Sequence, residues 1–109
     1  MQEELFDNRY IMDFAAALDL IKAYFNTKFP HFNLLEEYKD LSGHWGIKYS
    51  DQDILIFISC DRGGLEEVII IDGKEFPLWQ FDRQMINIEV ASEKNILFTL
   101  GTIKRFLKV

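Results

Sequence analysis

The apolar pattern is densest at residues 53–73, where two runs, 54–60 and 65–71, flank Asp61-Arg62-Gly63-Gly64. Read as a strand, the first run places Ile54, Ile56, Ile58 and Cys60 on one face and Leu55, Phe57 and Ser59 on the other. Both faces are apolar, and Val68, Ile69, Ile70 and Ile71 follow without a break, unlike the half-wet alternation of a sheet open to water. β-branched density and bounding glycines select strand over buried helix, each run being shorter than about ten residues. Gly63 and Gly64 are expected to supply the positive φ of the first turn. Asp72-Gly73 predicts a type I′ turn that sends residues 74–79 back antiparallel. A ribbon apolar on both faces needs cover on both. Helices can supply one side; the other requires the C-terminal segment or another protein.

Around this hairpin the period changes. From Met12 it becomes helical, with Asp13 as N-cap and Phe14, Ala17, Leu18, Ile21, Tyr24 and Phe25 on one stripe. Pro30 ends that helix, because the residue before a proline is pushed away from helical angles. Residues 1–10 read as a frayed lead-in or a first helical turn. Residues 31–40 fit a short helix or a strand equally. Trp45, Ile47 and Tyr49 alternate with Gly46 and Lys48 as a half-buried strand does. Residues 85–90 read as a strand or an irregular crossover. From Ser92 or Thr99 onward, Ile96, Leu100, Ile103 and Leu107 align on a closing helix, whose Lys104, Arg105 and Lys108 suit its C-terminus. The expected architecture is α+β over residues 1–109 as one domain: an N-terminal amphipathic helix, an antiparallel meander of about four strands, and a C-terminal helix.

Charge narrows the partners. The net charge of −6 argues against nucleic acid and anionic membranes, both of which need a basic face. It is unevenly spread: residues 36–75 hold ten acids and four bases, whereas residues 94–109 hold four bases and no acid. One cysteine and no leading signal peptide point to a reducing cytoplasm.

Candidate chemistry is sparse. His44 and Cys60 form the one thiol–imidazole combination the meander would set on neighbouring strands, but a cysteine at a strand end usually acts as a small core hydrophobe. Two histidines and one cysteine make a poor zinc set. Asp51 and Asp53 lack the spaced ligand loop of a calcium site. Asp61-Arg62-Gly63-Gly64 joins two strands and so is not a phosphate loop. Glu66 and Glu67, being adjacent on a strand, point to opposite faces and cannot act as a pair. No catalytic residue, metal or cofactor is assigned. The remaining pattern is one of docking: Asp51, Asp53, Asp61, Glu66, Asp72 and Glu75 on or beside the loops, with Arg62 and the aromatics Trp45, Trp79 and Phe81 near them. Aromatic anchors within a charged rim are how tight protein interfaces are built. Trp45 and Trp79 as core residues, with the acids merely solubilising, is the competing reading.

The leading helix, the strand Ile-Leu-Ile-Phe-Ile-Ser-Cys, its Asp-Arg-Gly-Gly turn, the second strand and the terminal Thr-Ile-Lys-Arg-Phe-Leu helix together resemble a group of small acidic bacterial proteins. These are encoded beside polymorphic or contact-dependent toxins and classed as immunity proteins. The resemblance implies a non-enzymatic inhibitor that caps a toxin's active site or an exosite; against a nuclease, its carboxylates would stand in for substrate phosphates. Two other readings remain open: a small-ligand or enzymatic domain with a pocket between helix and sheet, and a homodimer packed through its sheets.

Overall fold

The computed structural model describes residues 5–108. Helix α1 (Phe14–Lys28) leads into five strands, β1 (Asn33–Lys39), β2 (Trp45–Asp51), β3 (Ile54–Asp61), β4 (Gly64–Ile71) and β5 (Lys74–Phe76). A short helix α2 (Leu78–Phe81), a 3-10 helix (Arg83–Asn87) and helix α3 (Glu93–Leu107) complete the chain. The strands form one antiparallel meander in the order β1-β2-β3-β4-β5. It has five strands rather than about four, because the ambiguous residues 31–40 pair with β2. Asp40 closes that hairpin, its carboxylate accepting the Ser42 N–H at 3.0 Å and the His44 N–H at 3.2 Å.

The central turn differs in detail from its expected form. Positive φ falls on Arg62 (55°) and Gly63 (82°), while Gly64 is the first residue of β4. A two-residue turn with both central φ positive matches the right-handed strand twist, so Arg62 takes the left-handed angle itself. Asp72 (55°) and Gly73 (78°) form the second such turn, as predicted, but the returning strand ends at Phe76, because Pro77 leads into helix α2 instead of a strand running to residue 79.

Both long helices lie on one face of the sheet. Ala17, Leu18, Ile21 and Phe25 of α1 and Ile96, Leu100 and Ile103 of α3 share one core with Trp45, Ile47, Tyr49, Ile56, Ile58, Cys60, Leu65 and Ile69. Phe25 stacks on Tyr49 with 3.8 Å between ring centroids. Asp13 caps α1, accepting the Ala15 and Ala16 N–H groups, and Ser92 caps α3 by accepting that of Asn95. The C-terminal helix therefore joins α1 and leaves the opposite face without helical cover.

Two segments depart from their expected form. Residues 85–90 are a 3-10 turn followed by extended chain, which packs Met85 into the core and, among the described residues, pairs with the sheet only at a Val90–Gly64 bridge. Residues 5–10 are not helical; Asn95, fully buried on α3, ties them down. Its side-chain oxygen accepts the Asp7 N–H at 3.0 Å, and its amide donates to the Asp7 and Val90 carbonyls, each at 2.9 Å. Residues 1–4 of the expected lead-in lie outside the described residues. No described helix is long and apolar enough to cross a membrane.

Candidate functional site

Strand alternation sorts the chain's chemistry between two faces. With Ile56 and Ile58 toward the helices, Leu55, Phe57 and Ser59 face away, joined by Val68 and Ile70 of β4 and by Tyr38 of β1. Leu55, Phe57, Val68 and Ile70 lie outside the core and are half-buried, since neighbouring side chains on a sheet shade one another. Glu36, Glu66 and Glu75 share this face. Lys48 bridges to Glu36 at 3.6 Å and lies 5.6 Å from the centre of the Phe57 ring. Gly46 leaves room for the Tyr38 ring, which a Cβ there would strike.

The meander sends its turns to opposite ends, and the candidate acids divide accordingly. Asp61 and Arg62 sit at one end with the Asp40–His44 turn. Asp51, Asp53 and Asp72 sit at the other, where the Asp72 N–H donates to the Asp53 carbonyl at 3.1 Å. An eight-residue strand separates the two groups by about 23 Å. Glu66 and Glu75 lie between them on the open face. Trp79 is 48% exposed on α2, beside Val68 and Ile86 at the β4 edge. Trp45 is a correction: at 1% exposure it is a core residue, paired with Cys60 under the helices, and meets no partner from there.

At the first end, a cleft of about 550 Å³ is lined mainly by Tyr38, Asp40, His44, Phe57, Ser59, Asp61, Arg62 and Glu66. His44 stands between two carboxylates, its Nε2 3.0 Å from Asp61 and its Nδ1 3.7 Å from Asp40. The Ser42 hydroxyl, the largest influence, and the surrounding backbone N–H groups hold Asp40 below the usual carboxylate range. Trp45 points under the helices and His44 precedes it, so the imidazole and the core-facing Cys60 belong to opposite faces. Burial also pushes the Cys60 thiol up, away from the nucleophilic thiolate. The cluster therefore clasps two turns and does not assemble a thiol–imidazole pair. Among the described residues, no three His, Cys, Asp or Glu side chains are placed to hold a metal.

Glu66 and Glu67 do take opposite faces. Among the described residues, Glu67, opposite Ile58 on the helix side, is the one acid whose titration is strongly moved: burial first, and the Glu66 charge second, push it up to about 7. Sequence reasoning considered Glu67 only as a partner for Glu66, and read Leu55, Phe57, Val68 and Ile70 as a second apolar face in need of cover without naming them as site residues. The stripe was legible as the second apolar face of each run, once the turn register was fixed. Between α1 and β1 a further cleft of about 430 Å³ holds Lys22 and Glu37, already paired with one another at 2.7 Å. Comparison with protein-family models, curated proteins and solved structures finds no match, so the reading of these surfaces rests on their geometry.

Proposed function

We propose that this chain is a non-enzymatic protein-binding domain of the immunity type, which docks a basic partner on the sheet face turned away from its helices. One observation carries the reading. Leu55, Phe57, Val68 and Ile70 form an apolar stripe outside the core, and the charges beside it are mostly acidic: Glu36, Glu66, Glu75 and Asp61 against Lys48 and Arg62. An apolar centre with a charged margin is the anatomy of a docking patch. The acidic excess favours a basic partner and speeds its capture. A second copy of this chain, itself at −6, would meet its own charge. Against a toxin that acts on nucleic acid, Glu66 and Glu75 would occupy the places of substrate phosphates.

The test pairs the protein with a basic toxin domain encoded beside it and measures affinity by calorimetry. Phe57→Lys is expected to weaken binding by a hundredfold or so, the scale of a central anchor. Glu66→Lys with Glu75→Lys is expected to slow association more than it speeds dissociation. Unchanged affinity in a folded Phe57→Lys protein overturns the reading. A dimer that the same substitution dissolves would assign the face to a second copy instead.

A further inference from the structure

Strand β4 is paired along its outer edge at both ends and open between them. Near its start, the Leu65 N–H donates to the Glu89 carbonyl at 3.2 Å, and the Ala91 N–H donates to the Gly63 carbonyl at 2.8 Å. Near its end, pairing with β5 begins at Ile69. Main-chain groups alternate from side to side along a strand, so an outward Leu65 N–H puts the N–H and carbonyl of Glu67 outward as well. Glu67 thus faces a gap. Across it stand α2 and the 3-10 helix, making a groove of about 330 Å³ whose walls include Glu67, Val68, Trp79, Met85, Ile86 and Ile88.

Three features define the occupant. The groove is closed at both ends over four residues, about 13 Å of strand, which suits one side chain rather than an added strand. Its charged lining consists of Glu66 and Glu67, and no base lines it. Among the described residues, the Glu67 carboxyl has no hydrogen-bond or ion-pair partner. A half-buried acid without a partner is a poor structural choice and a good receptor for a cation.

We propose that this groove receives an arginine side chain from a protein partner, its guanidinium on the carboxylate and main-chain carbonyl of Glu67 and its stem against Trp79 and Ile86. Arginine fits better than lysine because its planar fork serves several acceptors at once, stacks on an indole and is weakly hydrated. The proposal deepens the docking reading, on which it rests only for the macromolecule that carries the arginine.

The test therefore uses small probes. n-Butylguanidinium, titrated at about pH 8 where Glu67 is ionised, is expected to shift the Trp79 indole and Glu67 amide resonances in ¹H–¹⁵N spectra. n-Butylammonium should bind more weakly. Glu67→Gln should weaken guanidinium binding roughly tenfold or more, the loss that follows when charge-assisted bonds become neutral ones. Wild-type binding should also fall as the pH is lowered to about 6, where Glu67 gains its proton. Full retention of binding in Glu67→Gln, equal binding of the ammonium, or shifts confined to other surfaces overturn the proposal. Phe57→Lys is expected to leave guanidinium binding unchanged, so loss of the open-face reading is told apart from loss of this site.

Discussion

On strand β3, Ile56 and Ile58 point beneath the helices and are at most 1% exposed, whereas their neighbours Leu55 and Phe57 face away, half-buried and outside the core. The residue types are almost interchangeable; the difference is what lies above them. Two fifteen-residue helices cover one side, and the other has only the shade of adjacent side chains. Apolar content alone thus does not say which face holds the fold and which is left without helical cover. Position relative to the helices decides.

The sharpest way to break this contrast is to truncate both sides of the same strand. Ile56→Ala is expected to cost about 2–5 kcal/mol, since the cavity it leaves lies in a closed core. Leu55→Ala is expected to cost roughly 1 kcal/mol, because much of that side chain's surface is already wet. Urea unfolding of the two variants measures both. Equal costs would mean that the open face contributes to the fold as the core does.

A second contrast sits on β4, where Glu66 and Glu67 differ only in face. Glu67 titrates near 7 when folded against 4.5 when free, so between those values the folded state holds a proton that the unfolded chain has released. Stability contributed by this group is therefore present at low pH and lost as pH rises from about 5 to about 8. Glu67→Gln is expected to flatten that slope and to stabilise the protein by roughly 1–3 kcal/mol at the upper end. Glu66→Gln, on the exposed side, should stay within about 0.5 kcal/mol. Unfolding midpoints compared at the two pH values decide it. A wild-type protein that gains stability with rising pH, together with an unchanged slope in Glu67→Gln, would place the carboxyl in water.

The two faces were unequally legible in the sequence. Period and punctuation located α1, its Asp13 cap, the Asp72-Gly73 hairpin and the α3 stripe, because each depends on residues a few positions apart. Strand β1 was not resolved from helix, since its side chains are all exposed and its pattern carries no burial signal; pairing with β2 decides it. Residues 85–90 and the lead-in depend on Asn95, nearly ninety residues from the Asp7 it binds, and no local pattern reports that bond. The candidate acids were legible as residues on or beside the loops, but the division of Asp61 from Asp51, Asp53 and Asp72 between two ends, and the burial of Trp45, follow from register and from where α3 lands.

Under the helices, one smaller irregularity extends the contrast. The Thr99 hydroxyl on α3 is buried and, among the described residues, has no hydrogen-bond partner. A hydroxyl taken from water without a replacement bond costs stability, whereas a methyl of the same shape does not. Thr99→Val is therefore expected to raise stability by about 1 kcal/mol, read as a higher urea midpoint with an unchanged slope. A loss of similar size would mean that the hydroxyl has a partner after all.

The smallest effect is expected where charges meet in the open. His44 and Asp61 approach to 3.0 Å, but their side chains are 36% and 60% exposed. Water competes for both groups, and holding them together costs side-chain entropy, so such pairs contribute little net stability. Asp61→Asn is expected to shift unfolding by no more than about 0.5 kcal/mol. The same substitution removes a negative charge from the margin of the apolar stripe, so it should lower the association rate of a basic partner and steepen with decreasing salt. A change confined to stability, with association untouched at low salt, would make the clasp a fastening of two turns and take Asp61 out of the docking surface.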